Sequence, residues 1–261
     1  VSLAYDFQWN TLDATFYMPT ESDGTFPFPT RYTHMAALAT AFEWGRLKMQ
    51  ASVLGYFVHE KVERFEARPD KAVATPAFFG SFKVLKNHDL SVRAFYKRMF
   101  RMPTFNDLYY TDMGNAFLKP EYAEQFNVGL KYTRNFEKSP FMRMLDVSVD
   151  AYYNKITDKI IAYPKGQQFR WTMLNLGEVE IKGVDAVLNA LFTLGKLEVT
   201  TKFQYTYQKA IDITDPADTY YRDQIPYIPW HSGSAILALF YKGGGLNYSF
   251  IYTGQRYNQQ E

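Results

Sequence analysis

The chain of 261 residues contains no cysteine. That absence excludes a disulfide framework, thiolate metal ligation and a cysteine nucleophile. Charge of one sign is also missing: 29 Lys and Arg face 27 Asp and Glu, for a formal +2. Such a balance builds no basic surface, so nucleic acid is not expected as a partner. No run approaches the roughly 18 apolar residues of a membrane-spanning helix. Helical periodicity, heptads and short repeats are absent too. The histidines His34, His59, His88 and His231 are scattered, none with a second ligand at metal spacing. There is no nucleophile elbow, no His-Glu-x-x-His pair and no phosphate loop. Gly243-Gly244-Gly245 lacks a following Lys-Ser/Thr and reads as a hairpin turn. No secretory leader opens the chain. Val1 to Phe7 already alternates like the inside of a strand, so the sequence reads as a piece of a longer protein.

What the chain has in excess is aromatic rings: 21 Tyr, 22 Phe and 4 Trp, 18% of all residues. Rings with a polar edge suit both interfaces of a membrane, though a soluble β-sandwich core could absorb them equally. The pattern that decides more is alternation. From Leu197 to Gln208, odd positions carry Leu, Val, Thr, Phe, Tyr and Tyr, and even positions carry Glu, Thr, Lys, Gln, Thr and Gln. An extended chain sends successive side chains to opposite faces, so this segment has one apolar and one polar face. It runs for about twelve residues, where strands of soluble proteins usually stop near five or six.

Counting such runs predicts about eleven strands, at 1–18, 30–44, 47–63, 73–86, 89–101, 120–136, 143–162, 169–192, 196–212, 228–242 and 245–258. Two kinds of connection separate them. Those at 43–46, 86–89, 193–196 and 242–245 are short, with Gly or Asn where tight hairpins need them, and 137–140 is slightly longer. Those at 19–29, 64–72, 102–119, 163–168 and 213–227 are longer and polar. The two kinds alternate strictly. In an up-and-down barrel this puts every short turn at one end and every long loop at the other, the asymmetry of outer-membrane barrels. The fold class is therefore all-β, an antiparallel up-and-down transmembrane β-barrel seen as a fragment of about eleven strands. On 197–208, Leu197, Val199, Phe203, Tyr205 and Tyr207 are expected to face lipid, and Glu198, Lys202, Gln204 and Gln208 the interior. Two segments break the pattern: Ala77-Phe78-Phe79, and 236–241, where nearly every residue is apolar.

Asp146 and Asp150 fall on one polar face, two alternations apart. An acid/base pair is conceivable. The better reading is that a polar barrel interior pairs them with Arg93, Lys97, Lys131 or Lys202 from neighbouring strands.

The stretch Phe100-Arg101-Met102-Pro103-Thr104-Phe105-Asn106-Asp107-Leu108-Tyr109-Tyr110, then Gly114-Asn115 and Leu118-Lys119-Pro120-Glu121, resembles a hallmark of TonB-dependent outer-membrane receptors. Further matches follow in family order. They are Ala151 to Asn154, Asp158 to Ile161, Asn175-Leu176-Gly177 with Gly183-Val184-Asp185, Ile225 to Gly233, and Tyr252 to Tyr257. The resemblance implies a barrel of about 22 strands around an N-terminal plug. This chain would hold roughly the ninth to the nineteenth of those strands, without the plug or the closing strands. It implies a bacterial outer-membrane location, energy from the TonB complex delivered through the missing N-terminal region, and no enzymatic activity or cofactor. Other implied partners are outer-membrane lipid, a small-molecule nutrient and an accessory surface lipoprotein. The spacing looks most like vitamin B12 and metal-chelate receptors of the Bacteroidetes type, so the cargo is expected to be cobalamin, a siderophore, haem or a similar chelate.

Ligand contacts are expected in the long loops. Phe105, Tyr109 and Tyr110 in 102–119, and Tyr220, Tyr221 and Arg222 in 213–227, bring flat rings and a fixed cation to one end. Their alternative role is loop packing or an upper aromatic girdle. Two rival classes stand beside the receptor. A soluble or surface-attached β-sandwich adhesin explains strands and rings but not the alternating connections. An outer-membrane enzyme would need a Ser/His or paired-Asp constellation at the rim, and the sequence shows none.

Overall fold

The computed structural model describes residues 1–13, 26–85, 89–110, 113–165 and 170–257. Among them eleven strands form one sheet, in sequence order from edge to edge. They are β1 (Ser2–Thr11), β2 (Thr30–Trp44), β3 (Leu47–Lys61), β4 (Lys71–Lys83), β5 (Asp89–Arg101), β6 (Glu121–Asn135), β7 (Met142–Lys165), β8 (Arg170–Leu194), β9 (Leu197–Asp212), β10 (His231–Tyr241) and β11 (Gly244–Thr253). Every neighbouring pair is antiparallel. A helix of five residues, α1 (Phe105–Tyr109), interrupts the β5–β6 connection. A sandwich needs two sheets packed face to face. A single sheet of eleven consecutive strands rules that alternative out.

Tight turns set the register. In β2–β3 and β8–β9 the first of two turn residues is Gly45 or Gly195, at φ 57° and 63°, where a side chain would be strained. In β10–β11 both turn residues, Lys242 and Gly243, have positive φ, as a type I′ turn demands. Residues 86–88 of the turn expected at 86–89, and the last part of the strand predicted for 1–18, lie outside the described residues.

Paired residues share a face, so the register propagates one face across the whole sheet. One row reads Leu3, Leu38, Val53 and Pro76; another reads Val128, Ala151, Val184 and Tyr207. Leu197, Val199, Phe203, Tyr205 and Tyr207 lie on this apolar face, and Glu198, Lys202, Gln204 and Gln208 on the other. The apolar face is open: Leu3 is 79% exposed, Trp44 74% and Leu246 64%. A water-soluble protein does not leave so wide a patch bare, whereas the lipid-facing band of a barrel is built this way.

One expected long loop is corrected. The 163–168 connection is not a long loop, because β7 and β8 run 24 and 25 residues and pair up to Lys165 and Arg170. The two strands outgrow their neighbours as a two-stranded ribbon. Its base is held by Ile160 and Met173, which pack into an apolar cluster with Phe105, Leu108 and Leu118. That cluster and a second one, built from Ala123, Ile156, Val179, Ala210 and Ile225, gather at the loop end of the sheet. Ala123, Ile156, Val179 and Ala210 belong to the polar face by register, so the connections fold inward over that face.

Candidate functional site

The polar face supplies an inner wall. Arg93 on β5 donates through Nε to Asp150 on β7 at 3.0 Å and closes the ion pair through Nη2. Between them lies Gly129 on β6, paired by register with both. Lys131 Nζ meets Asp146 at 3.3 Å, and Thr133 and Asn189 donate to the same carboxylate at 2.7 and 3.2 Å. Tyr152 crosses β8 above Gly183 and donates to Gln208 Oε1 at 3.1 Å. Both carboxylates are thus held by cations and donors, which fits structural ion pairs rather than a reacting acid/base couple. Lys97 and Lys202, the other expected partners, stand opposite Gln125 and Asn189 instead.

At the loop end the 102–119 connection is fastened to the wall. Thr104 and Asp107 form a reciprocal cap on α1: Asp107 N donates to Thr104 Oγ1 at 3.1 Å, and Thr104 N to Asp107 Oδ2 at 2.9 Å. Arg101 reaches Asp107 at 3.1 Å and Glu121 at 3.6 Å, and Glu121 accepts from Ile160 N at 3.0 Å. Asn175 receives Lys119 N at 2.8 Å and donates to Lys119 O and Asp158 O at 3.1 and 2.7 Å. Met173 N donates to Met113 O at 2.9 Å, and Asn115 Nδ2 donates back to Met173 O at 3.0 Å.

Three further charged residues, from β2, β3 and the β3–β4 connection, clamp the same connection. Arg31 and Glu60 form an ion pair at 2.7 Å with side chains only 10% and 2% exposed. Arg31 also donates to Pro103 O at 2.7 Å and lies 4.7 Å over the Phe105 ring. Arg68 donates to Leu118 O. Burial holds the Arg68 guanidinium below its usual range, against the opposing pull of Glu60. Burial likewise pushes the Tyr109 phenol up, and the charge of Glu60 adds to the effect. Alternation alone puts Arg31 and Glu60 on the inward face, but it does not say that they meet or that a loop covers them. The helix could have been read from Thr104-Phe105-Asn106-Asp107, a capping signature.

The expected ligand residues separate into two groups. Phe105 is 9% exposed and belongs to the apolar cluster under Arg31. Tyr109 packs against Phe105 at 6.1 Å and Phe26 at 6.3 Å between ring centres. Tyr110, which caps the end of α1, is exposed. In the β9–β10 connection Tyr220 is exposed, Tyr221 half-buried and Arg222 exposed. Arg222 takes a left-handed conformation, φ 73°, with its guanidinium 5.9 Å over the Tyr221 ring and its amide donating to Asp212 O at 2.7 Å. Among the described residues no cluster of three or more metal-ligating side chains occurs, and no helix is long and apolar enough to cross a membrane.

Known proteins sharpen the picture. The chain is 34% identical over 99 residues to the vitamin B12 transporter BtuB of Vibrio vulnificus, covering 38% of this chain and 14% of that protein. It is 34% identical over 113 residues to BtuB of Photobacterium profundum, covering 41% and 16%. Among solved structures, the copper transporter OprC superposes with a TM-score of 0.68 at 18% identity, covering 99% of this chain and 41% of that one. The FrpB iron transporter from Neisseria meningitidis, F3-3 variant, gives 0.57 at 14% identity, covering 95% and 39%. These structures share the fold, and the chain spans less than half the length of each of these four proteins. Residues 1–261 in their entirety match the family described as TonB dependent receptor-like, beta-barrel. The chain therefore belongs to the TonB-dependent receptors and forms part of their outer-membrane barrel.

Proposed function

We propose that this chain is the wall and loop rim of a receptor that captures a scarce chelate nutrient outside the cell and imports it with energy relayed by TonB. Family membership along the whole chain is the observation that carries this reading. The sequence likeness to two vitamin B12 transporters makes a cobalamin the first cargo to test, ahead of ferric siderophores and haem. The chain would supply eleven of about 22 strands, with the plug and closing strands outside it. Its polar inner face would line the path past the plug. The break in alternation at 236–241 finds a use here: Ile236 and Phe240 share the inner face with Lys202 and Glu198, where they would pack on the plug.

Of the loop candidates, the exposed Tyr110, Tyr220 and Arg222 are the ones free to meet cargo, the rings by stacking and the guanidinium by pairing with carboxylates or phosphates. Phe105 and Tyr109 would hold the rim in shape beneath them. The test is equilibrium binding of cyanocobalamin, haemin and ferric siderophores to the intact receptor in detergent. Saturable binding of one of them supports the reading. Silence toward all three classes removes it.

A further inference from the structure

The outward face of the sheet also carries a built feature, independent of the loops and the inner wall. On β8 the outward residues from Leu194 up to Val184 are all apolar, and the next one toward the loop end is Lys182. On β9 the outward residues from Leu197 to Tyr207 are apolar apart from Thr201, and the next is Lys209. Each apolar stretch is about eleven residues, the length with which a tilted strand crosses the hydrocarbon layer. Both lysines therefore stand at the headgroup level of the outer leaflet.

They also stand directly opposite each other across β8 and β9. Like charges in that position repel. Lys182 Nζ has Glu180 at 2.7 Å, and its neighbour on the other side is the Tyr153 ring at 5.4 Å. Lys209 lies over the Trp230 ring at 5.6 Å. Lys155 stands opposite Glu180 and pairs with Glu178 at 3.0 Å, so three ammonium groups against two carboxylates leave this patch with a net positive charge. Directly below opens an outward groove with a floor of Ala151 and Val184, sides of Phe126, Tyr153 and Tyr207, and Lys182 at its head. Small floor residues between bulky rings make a shallow apolar groove, open outward, with the Lys182 cation at one end.

We propose that Lys182 and Lys209 bind the phosphate of an anionic outer-leaflet lipid whose acyl chain lies in this groove. Charge complementarity selects the headgroup, and the ring-walled groove selects a chain rather than a free anion. The lipid supplies Lys209, which lies over the Trp230 ring, with the counter-charge that Lys182 has in Glu180, and it joins β6, β7, β8 and β9 from the outside. Each lysine near an anionic lipid contributes about fivefold in affinity, so the pair together contributes roughly 25-fold.

The experiment is native mass spectrometry of the intact, delipidated receptor in non-ionic detergent, titrated separately with dioleoyl phosphatidic acid, dioleoyl phosphatidylcholine and inorganic phosphate. One retained phosphatidic acid, held at least tenfold more tightly than phosphatidylcholine, is expected. Lys182→Gln with Lys209→Gln should lose roughly 25-fold in that affinity. Lys182→Arg with Lys209→Arg should keep it, which separates charge from fold. Ala151→Trp fills the groove floor while leaving both lysines, and should also weaken the lipid. Equal retention of both lipids, an unchanged adduct in the Gln double variant, or loss in the Arg double variant would overturn the proposal. So would inorganic phosphate competing as well as the lipid, because the site would then take a free anion.

Discussion

Arg93 and Asp150 are not on neighbouring strands: their ion pair bridges β6, and it closes only because Gly129 lies beneath it. A Cβ on Gly129 would collide with the Asp150 carboxylate and come within 3.1 Å of Arg93 Nε. Gly129→Ala should therefore destabilise the receptor by roughly 1–3 kcal/mol, the range for overpacking. Gly80 on the outward face is the control, since nothing lies within 4 Å of its Cβ position. Thermal or urea unfolding in detergent checks both. Equal effects of Gly129→Ala and Gly80→Ala would remove the bridge as a stabilising element.

Gly183 should be less forgiving. Its added Cβ meets the Tyr152 phenol, which can swing away, and also Tyr207 O at 2.5 Å, which cannot. Tyr152→Ala should rescue Gly183→Ala only in part, because the backbone clash with β9 remains. Full rescue in an unfolding titration would show that the backbone contact carries no strain.

Arg31→Ala leaves the Glu60 carboxylate buried without its cation. Breaking a buried pair from one side costs about 3–5 kcal/mol, and here the Pro103 contact goes with it. Limited proteolysis should show new cleavage within 102–119. Adding Glu60→Gln should recover part of the stability by removing the stranded charge. A double variant no better than Arg31→Ala would mean that the Pro103 and Phe105 contacts, not the charge, hold the loop.

Alkali should open the same loop. The Tyr109 pKa is raised in the folded protein, so the native state binds its proton more tightly than the unfolded state does. Its contribution is fully present below the ordinary tyrosine pKa of about 10, and is lost as pH rises through the higher folded value. Protease sensitivity of 102–119 should therefore increase as pH climbs above about 10. Tyr109→Phe should flatten this step. A pH profile identical in the two proteins would assign the opening to another group.

The two sets of loop residues should separate by assay. Phe105→Ala removes a buried ring from the cluster under α1 and should cost about 3–5 kcal/mol of stability. Tyr110→Ala, Tyr220→Ala and Arg222→Ala should leave melting within about 0.5 kcal/mol, as exposed positions do. If they touch cargo, affinity should fall by roughly 1–2 kcal/mol each, with stability unchanged. Unchanged affinity in all three would move the cargo site elsewhere on the rim.

Much of this architecture is legible in the sequence because strand geometry has a period of two. Alternation assigns Val128 and Asp150 to opposite faces without knowledge of any neighbour, and turn length assigns the ends. That parity also makes Arg93 and Lys131 candidate partners for Asp150 and Asp146, and the register turns both into pairs. What alternation cannot show is contact between segments distant along the chain. Arg31 to Pro103 spans 72 residues, and Lys119 to Asn175 spans 56. Strand ends near loops shift for a related reason. β10 starts at His231 rather than near 228: Trp230 O still accepts from Gln208 N of β9, but ahead of it the Gln224 side chain takes Ile228 O in place of a strand partner.

The residues of the motifs that resemble the family's have a common employment. Arg101, Pro103, Thr104, Asp107, Glu121 and Asn175 all bind one connection to the wall, and Gly183 makes room for a tyrosine. Kinship is thus written in fasteners. Tyr110, Tyr220 and Arg222 stand outside that set, so their substitution should leave the rim in place. Family and cargo are thus separate inscriptions on this chain.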